Sequence, residues 1–246
     1  MDSPFRQWMH MLQQLRGVQP EWPHLLRRML IDTYLRERES ESVYAGEVFK
    51  HREDNYPIVA AAGTEKRLVK ELFHYCRLNT NTERIFVIGN EPYWLMGYEW
   101  PNQGGDKQKM ARADLVGLNA VGGLVVFECK RAKNTGDGPF TAVVEGLDYL
   151  SHLTTRPNFA KVVAGFGDWD IQRDAIRPIG FKGVEPNLSA LHEVIVLAPP
   201  EYFARHRDKS PGWQAFAALP CLPTSPLSIR FAESDFASAE AKWVTA

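Results

Sequence analysis

The sequence lacks most of the patterns that identify a chain quickly. Three cysteines, Cys76, Cys129 and Cys221, stand far apart in 246 residues. Their odd number and spacing suit neither a disulfide framework nor a CxxC zinc site. The seven histidines form no HxH or HExxH pattern, which removes a common metallohydrolase motif. Thirty acids against 29 bases leave a formal net charge of −1, so any field that attracts nucleic acid or a membrane must come from local clustering. No run approaches the roughly 18 apolar residues of a membrane span. The opening MDSPFRQWMHML has no basic segment followed by a continuous apolar stretch. The expectation is a soluble cytoplasmic protein with no membrane partner. Internal repeats and low-complexity tracts are also missing.

What is present is enough apolar material, 44% of the residues, to bury a substantial core in one large domain or one domain with appendages. Two segments between residues 3 and 38, FRQWMHMLQQL and EWPHLLRRMLIDTYLRER, carry apolar residues at three- and four-residue spacing and predict a helical cap. The aperiodic tract that ends at Pro57 predicts a connector. Residues 1–56 are therefore expected to form an N-terminal helical extension and connector, and residues 57–246 the main domain. Within that domain Thr64 can cap a helix running to about Leu78, and RIFVIG predicts a short strand. The segment from Asn90 to Ala111, rich in aromatics and turn residues, predicts a loop or irregular hairpin. FTAVVEGLDYLSHL predicts a helix, with another near NFAKVVAGFGDW. HEVIVLA predicts a buried strand stopped by Pro199 and Pro200, and a last helix and strand are expected over 200–246.

The informative stretch is RADLVGLNAVGGLVVFECKRAKN, residues 112–134. Two β-like runs flank a bend centred on Val121, and a symmetric hairpin register sets Asp114 opposite Glu128, where Cβ atoms are about 4.5–5.5 Å apart. The two-residue step from Glu128 puts Lys130 on the same face, while Phe127 and Cys129 turn to the other. Two carboxylates this close repel unless a proton or a cation joins them, and hard oxygen donors suit Mg²⁺ or Mn²⁺. A slip of one residue would send Asp114 to the opposite face. Two alternatives stand beside the metal site: carboxylates paired with arginines such as Arg112 and Arg131, or a nucleic-acid-binding or assembly module without catalysis. In GTEKRLVKELFHYC, Glu65 lies seven residues before Leu72 and points with the apolar face. It is either a site acid or a first-turn acid favoured by the helix dipole. Glu145, Asp148, Tyr149 and His152 form a polar stripe on the next helix, either its wet face or the mouth of the site.

An acid, a hairpin-length spacer and then apolar-Glu-x-Lys, here Asp114 followed by VVFECK, resembles the PD-(D/E)xK nuclease superfamily. Glu65 takes the place of that family's first-helix acid, and EGLDY is similar to its Gln-xxx-Tyr pattern, with Glu145 where Gln is usual and Tyr149 matching. Ala113 stands where the family often has proline. The resemblance covers somewhat over half the chain, about residues 64–199, with residues 200–246 as a C-terminal addition. It implies an α/β, restriction-endonuclease-like core of order αβββαβ, a mixed central sheet flanked by helices, with residues 1–56 as the helical extension. It further implies Mg²⁺- or Mn²⁺-dependent hydrolysis of phosphodiesters, chiefly in DNA. Asp114, Glu128 and the Cys129 backbone carbonyl would hold the metal, with Glu65 direct or through water. Lys130 would orient or help deprotonate the attacking water, with Glu145 and Tyr149 as auxiliary groups. Lys107, Lys109, Arg112, Arg131 and Lys133 are either a phosphate-binding surface or solvated loop charge. The N-terminal helices offer a surface for a homodimer or another protein.

Overall fold

The computed structural model describes residues 4–5, 7–8, 23–40, 62–79, 84–101, 112–134, 136–173, 178–209, 212–219 and 225–244. Its elements in chain order are α1 (Pro23–Arg38), α2 (Glu65–Asn79), β1 (Ile85–Ile88), β2 (Glu91–Pro101), β3 (Arg112–Asn119), β4 (Leu124–Cys129), α3 (Pro139–Leu153), α4 (Arg156–Arg173), β5 (His192–Ala198), α5 (Pro200–Lys209), α6 (Trp213–Ala217), β6 (Leu227–Glu233) and β7 (Glu240–Trp243). The second predicted helix starts where the sequence places it, because the Thr64 hydroxyl accepts the Arg67 N–H at 3.3 Å.

The expected open sheet flanked by helices is not the observed architecture. The seven strands close into a mixed barrel in the order β1 to β7, with β1 and β7 pairing in parallel. The β1–β4 strands run antiparallel, and β4, β5 and β6 run parallel, joined by helical crossovers. An extra strand makes closure possible. In the aromatic tract expected to be a loop or irregular hairpin, residues 102–111 lie outside the described residues, and residues 91–101 form β2, eleven residues long, with a bulge between Leu95 and Gly97 where it pairs antiparallel with β3. Its aromatic residues have high strand propensity, and the bulge adds the bend that a rolled sheet needs. Gly117 sits opposite, where a Cβ would come within 2.7 Å of the Trp94 carbonyl oxygen.

Alternation along each strand produces two cores. Phe86, Tyr93, Leu115, Phe127, Ile195, Ala232 and Ala241, with one or more from every strand, fill the interior, joined by Val69, Leu72, Phe73 and Cys76 of α2. Trp94, Val116, Val126, Val194 and Phe231 point outward under α1, α3 and α4. Strands β4 and β5 are buried along their whole length, as expected of strands covered on both faces. Trp94 and Trp213 are buried in the outer core. Helix α1 is not an extension. Leu26, Leu30 and Tyr34 join the outer core, Tyr34 and Thr154 share a hydrogen bond of 3.1 Å, and Arg27 donates to the Leu219 carbonyl at 2.6 Å. The rest of residues 1–22 and the connector expected up to Pro57 lie outside the described residues, apart from 4–5, 7–8 and the end of α1. None of the described helices is long and apolar enough to cross a membrane.

Closure depends on a short seam, two paired residues between β1 and β7. Arg230 of β6 fastens it. The guanidinium donates to both oxygens of Glu91, one of them at 2.6 Å, lies 3.3 Å above the Trp243 ring centroid and stands 3.6 Å from Glu193. Tyr93 donates to Glu91 at 3.1 Å. On the other side of the sheet α3 approaches β5 closely at Gly146, where an added Cβ would meet Val194 Cγ1 at 2.5 Å.

Two outcomes are expected in urea denaturation. Arg230→Ala loses roughly 2–3 kcal/mol, because Glu193 is left buried beside no cation; a loss below about 0.5 kcal/mol, the range of ordinary surface substitutions, would show that the seam does not need it. Gly146→Val loses about 1–3 kcal/mol by overpacking, whereas an unchanged midpoint would mean that α3 can ride up freely.

Candidate functional site

The β3–β4 hairpin has the register that the spacing about Val121 predicts. Leu115 pairs with Phe127 and Leu118 with Leu124, and one further step sets Asp114 across from Glu128. Asn119 shapes the bend, its Oδ1 accepting the N–H of Gly123 at 2.8 Å and of Val121 at 3.2 Å. Asp114, Glu128 and Lys130 share the parity of Val116 and Val126, so they lie on the outer face of the barrel under α3. Cys129 takes the opposite parity and is buried in the interior core.

Two carboxylates meet one ammonium, and Asp114 acts on it through its charge. Lys130 Nζ donates to Glu128 Oε1 at 2.9 Å and to Glu145 Oε2 at 2.7 Å. The Lys130 and Glu128 side chains are only 5% and 6% exposed, against 24% for Glu145. Asp114 Oδ2 accepts the Cys129 N–H at 2.8 Å. Glu128 Oε2 is buried and has no hydrogen-bond partner among the described residues. A buried carboxylate oxygen without a donor is costly, and it faces a cluster already rich in acids.

Electrostatics follow from that imbalance. Burial pushes the Asp114 carboxyl up to about 7; Lys130 and the Cys129 N–H oppose the shift, and the Glu65 and Glu145 charges add to it. Burial also holds Glu128 well above the usual carboxylate range, against the pull of Lys130 and with help from Asp114 and Glu145. Burial works against the charge on Lys130, but Glu128, Glu145 and Asp114 outweigh it and keep the ammonium well above its ordinary value. One firmly charged cation thus serves several carboxylates.

Glu65 opens α2 at the edge of this cluster. Its Oε1 accepts Asn134 Nδ2 at 2.9 Å and the Arg131 N–H at 3.4 Å, and its charge reaches Asp114. The polar stripe of α3 is not a wet face, because Asp148 is buried and Glu145, Tyr149 and His152 are half-buried. Burial raises the Tyr149 hydroxyl pKa, with further contributions from Glu128, Glu145 and Asp114, so Tyr149 borders the site. His152 stands apart: its pKa falls to about 4 through burial alone, and it lies against Asn158. Glu71 pairs with Arg67 at 2.6 Å, away from the cluster.

The basic residues divide differently. Arg131 and Lys133 are exposed on the loop after β4, and Arg131 donates to the Gly63 carbonyl at 3.1 Å. Asp114 and Glu128 are therefore not held by Arg131; their cation is Lys130. Lys107 and Lys109 lie outside the described residues, as does the Arg112 side chain. Asn134 was not a candidate from sequence, although an Asn four residues after the motif lysine in a polar loop is a turn-forming residue by chemistry alone.

Among the described residues, no three His, Cys, Asp or Glu side chains already converge on one point as a cage for a metal ion. Two surface concavities of about 550 and 330 Å³ are lined by other residues, among them Val121 and Leu188 in one and Glu233 and Lys242 in the other. The donors that are present still fit a hard divalent cation. They are carboxylate oxygens in excess of local positive charge, one of them orphaned, and Mg²⁺ commonly takes only one or two protein carboxylates with the remaining places left to water and substrate.

The raised carboxyl of Asp114 generates a signed prediction. The folded state holds that proton between the ordinary carboxylate range and about pH 7, so Asp114 lowers stability as pH rises through that window. Asp114→Asn keeps an acceptor for the Cys129 N–H and removes the charge. It is expected to melt higher than the parent at pH 8 without divalent ions, with the gap closing toward pH 5. A gap that does not change with pH would refute the assignment.

Compared with protein-family models, curated proteins and solved structures, the chain matches none, so the case for its function rests on the geometry of this cluster.

Proposed function

We propose that the chain is a metal-dependent nuclease that hydrolyses phosphodiester bonds, with DNA as the substrate. The observation that carries this is the orphaned, buried Oε2 of Glu128 beside a lysine that stays charged and an aspartate on the same strand face. Asp114, Glu128 and the Cys129 backbone carbonyl would hold Mg²⁺ or Mn²⁺, with Glu65 alongside. When bound, the ion supplies Lewis-acid polarisation of the phosphate and a more acidic water.

The chain's own residues set the rest of the chemistry. Lys130 is held protonated by Glu128 and Glu145, which makes it a poor base and a good fixed cation. It would orient the attacking water through a donated hydrogen bond and offset charge growing on the phosphate. Asp114, across from Glu128 on the same sheet face, would share the cation with it, and the ion would replace the proton that burial favours on this carboxyl. Glu145 restrains the ammonium, and Tyr149 lines the same side. Arg131 and Lys133 are exposed and would meet the phosphate backbone. The motif similarity to PD-(D/E)xK nucleases supports the same residues in these roles.

A second reading is favoured by one observation, the lack of three converging ligands among the described residues. It is a nucleic-acid-binding module on this barrel, with Lys130 and its two glutamates serving as an ion pair only.

Purified protein incubated with single- and double-stranded DNA and RNA is expected to cut DNA with Mg²⁺ or Mn²⁺ and to stop with EDTA. Asp114→Ala and Lys130→Met should each lower the rate by about 10²-fold or more. Cleavage that survives either substitution sinks the proposal. DNA binding with neither cleavage nor metal uptake would establish the binding module instead.

A further inference from the structure

The loop from Lys130 to Gly138 contains a polar residue that is better fixed than its exposed neighbours require. Asn134 Oδ1 accepts the backbone N–H of Gly136 and of Asp137, both at 3.1 Å, which sets the plane of the amide. Its own N–H donates to the Arg131 carbonyl at 3.0 Å, and its carbonyl accepts His206 Nε2–H of α5 at 3.3 Å. A side chain with its oxygen engaged twice has its NH₂ pointing in one direction. That NH₂ donates to Glu65 Oε1 at 2.9 Å, with Asp137 Oδ2 next at 3.4 Å. Glu65 is on the first turn of α2, and its other contact from this loop is the longer 3.4 Å bond from the Arg131 N–H.

From this geometry we infer that Asn134 is a positioning residue that holds the Glu65 carboxylate at the edge of the Asp114–Glu128 cluster. The inference rests on the proposed divalent-cation site, toward which Glu65 would present its remaining oxygen. The geometry explains why an amide serves better than an acid or a lysine. A carboxylate would repel Glu65, and an ammonium would pair with it and draw it out of reach of a cation. The amide fixes one oxygen by a neutral bond and leaves the charge available. Groups that orient ligands in this way are typically worth 10- to 100-fold in metal affinity.

The test uses the full chain and Mn²⁺ alone. Asn134→Ser keeps a hydroxyl that can accept the turn N–H groups, adds no charge and cannot reach Glu65. It is expected to bind Mn²⁺ roughly tenfold more weakly by calorimetry or Mn²⁺ paramagnetic resonance, with a melting temperature without metal within a few degrees of the parent. Glu65→Gln should weaken Mn²⁺ binding by a similar factor, and the double variant should be no weaker than Glu65→Gln, because both changes remove the same carboxylate. Parent-like Mn²⁺ affinity in Asn134→Ser, with binding abolished in Glu128→Gln, overturns the role of Asn134 and leaves the metal site standing. Additive losses in the double variant also overturn it. If the parent itself takes up no Mn²⁺, both the metal site and this inference fall.

Discussion

The ammonium of Lys130, lodged between Glu128 and Glu145, is the interaction around which the outer face of this barrel is organised. Removing one such charge from water costs several kcal/mol, and a lysine between two carboxylates recovers that only when its partners stay put. The fold supplies the rigidity. Strand β4 is buried on both faces, so Glu128 cannot swing out to water. Helix α3 lies close enough to β5 for Gly146 to be a requirement, which brings Glu145 down onto the same nitrogen. Aliphatic groups pack beneath and around the ion pair. A well-packed hydrophobic patch would be simpler at such a position, so the retained charges call for a role beyond stability.

The molecule provides its own comparison, because it contains a second ionic cluster at the other end of the strands. Around Arg230 the bonding is nearly complete. Glu91 receives two guanidinium donors and the Tyr93 hydroxyl, and Glu193 receives Asn119 Nδ2 at 2.9 Å and lies close to Arg230. That cluster reads as a clasp for the barrel seam. Around Lys130 three carboxylates, Asp114, Glu128 and Glu145, share one cation, and one oxygen of Glu128 has no donor among the described residues. The contrast separates a nearly saturated ion cluster from one in which a buried carboxylate oxygen still lacks a donor among the described residues.

Much of the site was legible because hairpins are symmetric. The distances from Asp114 and from Glu128 to Val121 are equal, and the strand period then places Lys130. Thr64 and the apolar face of α2 identified Glu65 for the same reason, a short period tied to one cap. Closure of the sheet was not legible. It depends on β2, whose glycine and flanking polar residues look like a loop when the pairing with β3 is unknown, and on contact between β1 and β7, which are more than 150 residues apart. Such long-range pairing leaves no local period. The buried state of the α3 stripe was hidden similarly, since Asp148 and Tyr149 look exposed until α1 and β4 are packed around the helix.

Glu145 shows how these levels combine. Read against the motif, an acid in place of a neutral amide is a departure that adds unwanted negative charge. In the structure it lies 2.7 Å from Lys130, and its charge contributes to the raised carboxyls of both Asp114 and Glu128. An amide oxygen could accept the same hydrogen bond, but an acid adds charge to it. The acid provides the ammonium with a second, charged anchor that favours the protonated lysine. It also adds negative charge beside Asp114 and Glu128 and so favours their protonated forms. The group that looks least compatible with the motif is therefore the one that couples the lysine to both raised carboxyls.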